Sequence, residues 1–164
     1  MNLEKKRGAL LLILYLALIS CTSTSLFIDR GATIAVWDLD DLSPASAAQT
    51  SLGDLLSNQV IETLIARGDY AIIEREQLLL ALNELQLGTT DLVDERSRLR
   101  LGKLLGARAM VFGAYQIIGD MMRLDLRLVE VETGKVIKAI QKMAPKKYIP
   151  DWLKAAREAA QELL

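Results

Sequence analysis

Between Ala107 and Lys142 apolar residues recur at every second position in three runs, separated by Gly119-Asp120 and Thr133-Gly134. A period of two, punctuated by glycine-containing turns, predicts a three-stranded antiparallel meander. In the middle run Met122, Leu124, Leu126 and Leu128 share one face, and Arg123, Asp125 and Arg127 share the other. One face is therefore expected in a core and the other in water. After Leu128 the phase changes: Val129 and Val131 carry the apolar character, Glu130 and Glu132 the charge, which predicts a β-bulge near 128–129. A meander of this size needs helices against its apolar face.

The rest of the pattern supplies them. Ala32 to Trp37 reads as a strand, followed by a polar loop, Asp38 to Ala48, that contains Asp38, Asp40, Asp41, Ser43 and Pro44. From about Ala47 to Arg67, Leu52, Leu55, Leu56, Val60, Ile61, Leu64 and Ile65 fall at helical spacing, with Gly68 placed to end the helix. Tyr70 to Ile73 is a short strand, and Glu74-Arg75 joins it to a second helix carrying Leu78, Leu82 and Leu85, broken at Leu87-Gly88-Thr89-Thr90. Either Asp91 or Asp94 can cap a third helix, with Leu101, Leu104 and Leu105 on one side and Gly106 at its end. Beyond the meander, Pro145 and Pro150 bracket a linker, and Pro150 opens a last helix aligning Trp152, Ala155, Ala159 and Leu163. The order β-α-β-α-α-β-β-β-α predicts an α+β fold, a mixed five-stranded sheet with helices packed on one face.

The amino terminus follows a different logic. Lys5, Lys6 and Arg7 precede the uncharged apolar run Ala9 to Ile19, the charged and apolar regions of a secretory signal. Eleven residues are too few to span a bilayer as a helix, which takes roughly 20. The run ends in Leu18-Ile19-Ser20-Cys21, which resembles the bacterial lipobox, with Cys21 the residue to be lipidated. Two alternatives are a cleaved signal with Cys21 a plain thiol, and an anchor helix continued to Phe27; the latter must pass through Ser20, Thr22, Ser23, Thr24 and Ser25, a poor membrane sequence. The expected organisation is a signal peptide over 1–20, a lipidated terminus and Ser/Thr-rich tether over 21–31, and one domain over 32–164. Several acyl chains, at about 0.8 kcal/mol per buried methylene, make such an anchor effectively permanent. In the sorting pattern of enteric-type lipoproteins, Thr22 after the cysteine favours the outer membrane.

Composition narrows the chemistry. About half of the 164 residues are apolar, enough for one real core, and Cys21 is the only cysteine, so no internal disulfide supports the fold. The 20 basic and 21 acidic residues are mixed, giving a net charge of -1 and no basic face for nucleic acid. The absence of histidine removes imidazole-based triads, imidazole metal ligands and the usual neutral-pH proton shuttle.

One motif looks catalytic. Ile34-Ala-Val-Trp-Asp38-Leu-Asp40-Asp41 is close to the nucleophile motif of haloacid-dehalogenase-type phosphatases, where a strand ends in Asp-x-Asp beside a magnesium ion. Gly119-Asp120 with Asp125 mimics that family's later metal-binding motif. Context argues against it. The expected threonine is Leu42, and the later acids belong to a hairpin turn and a strand interior instead of the end of a parallel strand facing the same crevice. The expectation is a protein without enzymatic activity, cofactor or metal; the alternative is a magnesium-dependent phosphatase using the Asp38/Asp40 loop.

Residues 32 to 142 resemble the curli-secretion lipoprotein family, CsgG-type, with its flagellar and penicillin-binding-protein-activating relatives. The resemblance rests on Ile34-Ala-Val-Trp-Asp38, Ile72-Ile73-Glu74-Arg75-Glu76-Gln77-Leu78, Leu101-Gly102-Lys103-Leu104-Leu105-Gly106-Ala107, Met110-Val-Phe-Gly113 and Leu126-Arg-Leu-Val129-Glu-Val131-Glu-Thr133-Gly134-Lys135-Val136, in that order behind a lipobox. It implies a periplasmic α+β domain on the inner side of the outer membrane, often in a ring or larger complex, without enzymatic activity. Pore-forming members insert long membrane-crossing hairpins, each strand needing about 9 to 11 extra residues. Here one insertion site is the two-residue turn Gly119-Asp120 and the other only Ala144 to Ile149. The expected function is that of a lipid-anchored accessory of assembly or secretion, or an activator of an envelope enzyme, acting by binding envelope proteins; a structural ring component is a further alternative. The candidate contact residues are Asp38, Asp40 and Asp41 in the first loop and Lys146, Lys147 and Tyr148 in the last linker, against an ordinary solvated reading of the two lysines.

Overall fold

The computed structural model describes residues 28–44, 52–73, 75–84 and 94–164. The expected signal peptide, Cys21 with most of the tether, the start of the first helix, Glu74, Leu85, the break at 87–90 and Asp91 lie outside the described residues. The elements are β1 (Thr33–Val36), β2 (Asp40–Asp41), α1 (Leu52–Arg67), β3 (Ala71–Ile73), α2 (Arg75–Glu84), α3 (Glu95–Leu104), β4 (Ala109–Ile118), β5 (Met121–Glu130), β6 (Val136–Pro145) and α4 (Ile149–Leu163).

The sheet runs β3-β1-β4-β5-β6, with β1 parallel to both neighbours and β4, β5 and β6 antiparallel, the mixed five-strand arrangement the sequence predicts. One short strand was not predicted: β2 lies within the expected Asp38–Ala48 loop and pairs parallel with β4. The first turn is the two-residue hairpin expected, with Ile118 opposite Met121 and Gly119 at φ +59°. The second is longer than Thr133-Gly134 alone, because the link spans 131–135 and is closed by Glu130 N–H to Lys135 O (2.9 Å) and Gly134 N–H to Glu130 O (2.9 Å). Asp94 takes the cap of α3, its Oδ1 accepting from Ser97 N–H at 2.7 Å. That bond holds the Asp94 carboxyl below the usual carboxylate range.

The large core lies on one face. There Ile34, Val36, Val111, Tyr115, Ile117, Leu124 and Leu126 meet the buried stripes of α1 (Leu56, Val60, Leu64) and α4 (Trp152, Ala156, Ala159, Ala160). The alanines of α4 present little bulk, and Trp152 fixes the start of the helix by donating from Nε1 to Pro145 O at 2.7 Å. The structure adds a second, smaller cluster built from the alternate strand residues Ala35, Ile73, Met110, Phe112 and Val129, with Leu78 and Leu82 of α2 and Leu101 of α3.

That second cluster explains the change of phase after Leu128. Leu128 joins the large cluster and Val129 the small one, so β5 keeps strict alternation and is apolar on both faces where both are covered. A register shift does occur at Leu128/Val129, as predicted, but Leu128 pairs with Lys138 and Val129 with Val136. The extra residue, Ile137, therefore belongs to β6, while β4 and β5 stay in continuous register.

Candidate functional site

The first candidate segment is a detour in a strand. Val36 pairs with Val111 and Asp40 with Ala114, so the chain uses four steps where β4 uses three. The surplus is taken up over Trp37-Asp38-Leu39, and Leu39 dips into the large core. Its N–H is received by the Oγ of Ser57, which donates in turn to Gly53 O (2.9 and 2.8 Å), so the fully buried Ser57 is satisfied. Two glycines make room. A Cβ on Gly53 would lie 2.7 Å from Leu39 O, and one on Gly113 would lie 2.6 Å from Leu126 Cδ2 and 2.9 Å from Asp125 O.

Beyond the detour, strand alternation sends the two neighbouring acids to opposite faces. Asp40 pairs with Arg98 of α3 (Nη1 to Oδ2, 3.2 Å), whose guanidinium carbon stands 5.2 Å from the centre of the Trp37 ring. Asp41 accepts from the buried Tyr115 hydroxyl (2.7 Å) and from Ser43 N–H (2.8 Å). Burial, and after it the Asp41 carboxylate, pushes the Tyr115 phenol well above its ordinary value. The Ser43 hydroxyl oxygen receives Ile117 N–H at 3.0 Å, extending the contact with β4 by a side chain.

The second candidate segment, Lys146-Lys147-Tyr148, is the whole link between β6 and α4 and is exposed. Lys146 N–H donates to Asp120 O at 2.7 Å, which ties the link to the tip of the β4–β5 hairpin. The structure thus brings Asp41 and Lys146–Tyr148 to the same end of the sheet, on either flank of that tip. Asp41 is level with Lys142, three strand steps or about 14 Å across the sheet, and Lys146 lies four residues, about 13 Å, further along. Asp38 sits further back, in the detour. Sequence reasoning missed what lies between and beside them: Leu42, Ile118, Met143 and Ile149 are exposed there, with Met121 half-buried. It also missed Arg98 and Tyr115, the partners of the two acids. Gly113, a glycine inside a strand, is the signal that a neighbouring chain bulges against β4.

As a phosphatase site the arrangement is poor. Asp125 stands mid-strand and is held by Arg123 (2.8 and 2.9 Å), Asp120 lies in the hairpin turn, and Asp40 is paired with Arg98. Among the described residues no three potential ligands converge on a metal position, and none of the helices is long and apolar enough to cross a membrane.

The arrangement is that of an α+β domain on a mixed sheet, and solved structures share the fold. The C-terminal domain of LpoB from Escherichia coli superposes with a TM-score of 0.61 at 17% identity, over 77% of this chain and 92% of that one. A lipoprotein from Neisseria meningitidis gives 0.53 at 14% identity, over 70% and 80%. A PelC dodecamer from Paraburkholderia phytofirmans gives 0.52 at 14% identity, over 87% and 91%. No curated relative matches the chain in sequence. Residues 30–119 match the sequence model of the curli production assembly/transport component CsgG. The chain belongs to the CsgG family.

Proposed function

We propose that the protein is a lipid-anchored, non-enzymatic accessory of the cell envelope, held on the periplasmic side of the outer membrane through Cys21 and acting by binding other envelope proteins in assembly, secretion or enzyme activation. The family match over 30–119, which takes in β1 to β4, carries this reading. The two-residue hairpin that follows favours a binding domain over a pore subunit, since β4 passes directly into β5 at Gly119-Asp120. The Leu18-Ile19-Ser20-Cys21 sequence supports the anchor. Membrane fractionation of Cys21→Ala tests it: the variant is expected in the soluble fraction, and retention in the membrane would overturn the anchored reading. Cross-linking of the lipidated protein in intact cells, followed by identification of the captured chains, tests for envelope protein partners.

A second reading, a ring component without its own pore, is favoured by the dodecameric state named for the PelC structure. Mass measurement of the delipidated chain separates the two: a ring gives a high multiple of the chain mass, an adaptor a monomer.

A further inference from the structure

Strand β6 ends the sheet order, so one of its sides has no neighbouring strand among the described residues. Which backbone groups point that way follows from bonds on its other side. Glu130 N–H donates to Lys135 O, whereas Val131 N–H donates away from β6 to Arg108 O. Backbone groups alternate along a strand, so the even-numbered residues of β5 face β6, and their partners Lys138, Ile140, Lys142 and Ala144 face back. Lys146 N–H, received by Asp120 O, continues the series. The N–H and C=O groups of Ala139, Gln141 and Met143 therefore point out from the sheet. Pro145 closes the row, having no N–H to offer.

The side chains along this edge are of one sign. From Lys135 to Lys147 there are five lysines and no acid. Lys138 and Lys142 lie on the face that α4 covers, Lys142 meeting Glu162 there while Lys138 is exposed. Ala139, Gln141 and Met143 lie on the opposite face beside Arg127, Asp125 and Arg123, the last two paired with each other, and Met143 is about half-exposed.

We infer that β6 receives an extended acidic segment of a partner protein as an added strand, with alternate acidic side chains beside Lys138 and Lys142 and alternate apolar side chains beside Ala139 and Met143. The backbone row supplies the attachment and the lysines the selectivity. A second copy of this chain is the wrong occupant. Antiparallel pairing of two β6 strands sets lysines against lysines or neutral residues, and like charges across strands destabilise. The other outer strand, β3, offers only Ala71–Ile73.

The inference rests on the protein-binding reading above and assigns one contact to it. The test is fluorescence anisotropy of a short synthetic peptide alternating glutamate and valine, titrated with the full chain, beside the same peptide with lysine for glutamate. Expected are binding of the acidic peptide alone, weakening with salt, and slowed hydrogen exchange at the Ala139, Gln141 and Met143 amides. Lys138→Glu is expected to weaken binding about tenfold. Gln141→Pro removes an outward N–H that no neighbour in the sheet receives; it is expected to abolish binding while a thermal melt shows the fold retained. Equal binding of the two peptides, no binding of either, or binding without amide protection overturns the inference. If the peptide fails but envelope proteins are still captured, the edge is eliminated and the accessory reading stands; membrane retention of Cys21→Ala removes the anchored reading without touching the edge.

Discussion

The residues that shape the candidate site most are two glycines, and each is there because backbone comes close. At Gly53 an added Cβ would meet Leu39 O, a backbone atom fixed by the detour and by the bond that Leu39 N–H donates to Ser57 Oγ, so the neighbour cannot swing aside. Gly53→Ala is expected to destabilise the domain by about 1–3 kcal/mol, the usual range for overpacking, read as a lower midpoint in thermal or urea unfolding. Tyr115 offers the complementary case, a polar tip on a buried ring. Its phenol is raised, so the protonated form is the one the fold favours; that stability is present below the ordinary phenol range near pH 10 and is lost as pH rises towards the raised value. Tyr115→Phe should remove this alkaline sensitivity and about 1 kcal/mol of stability, measured by unfolding at neutral and at alkaline pH. None of this was legible along the chain. Asp41 looks like any loop acid until the register of β2 puts it beside Tyr115, 74 positions away.

At the scale of elements, periodicity and turn chemistry were legible where a single rule dominated. The alternation of β5, the Gly119-Asp120 hairpin and the Pro150 start of α4 all follow from local sequence. Where two burial demands met, the local signal was ambiguous: consecutive Leu128 and Val129 read as a slip of phase, when they face two different cores. Strand β2 was hidden because two aspartates have low strand propensity, and it is held by pairing with β4 instead. Helix α3 has only ten residues, with four bases, Arg96, Arg98, Arg100 and Lys103, that repel one another, and a glycine, Gly102, in its interior. Its cap therefore matters. Asp94→Ala is expected to lower the stability of α3 and to speed its hydrogen exchange before that of the sheet. The Asp94 carboxyl is depressed, so the cap's contribution is present above the ordinary carboxylate range and is lost as pH falls through the lowered value. Acid should thus loosen α3 in the wild type and change little in Asp94→Ala.

For the whole molecule, direction along the sheet decides what the two ends can do. The chain comes into β1 at the end where Thr33 pairs with Ala71 and Gly31 N–H reaches Asp69 O. The β4–β5 tip, with Lys146–Tyr148 and the exposed Leu42, Ile118 and Met143 around it, is at the other end of β4. Ten residues of strand separate these ends by about 33 Å. An anchor at Cys21 would tether the near end, so the candidate contact residues would point away from the membrane that holds the chain and towards proteins in the periplasmic space. The family resemblance and the polarity of the domain then support one arrangement, although the sequence alone, without the strand order, gave no means of seeing it. A prediction separates this arrangement from a domain lying flat. With the lipidated chain in vesicles that carry a lipid-borne quencher, a fluorophore on Arg30→Cys should be quenched strongly and one on Asp120→Cys weakly, because quenching acts over distances shorter than the sheet. Equal quenching at both positions would mean that the tip and its exposed apolar residues rest on the bilayer, and the partner they meet would then be lipid instead of protein.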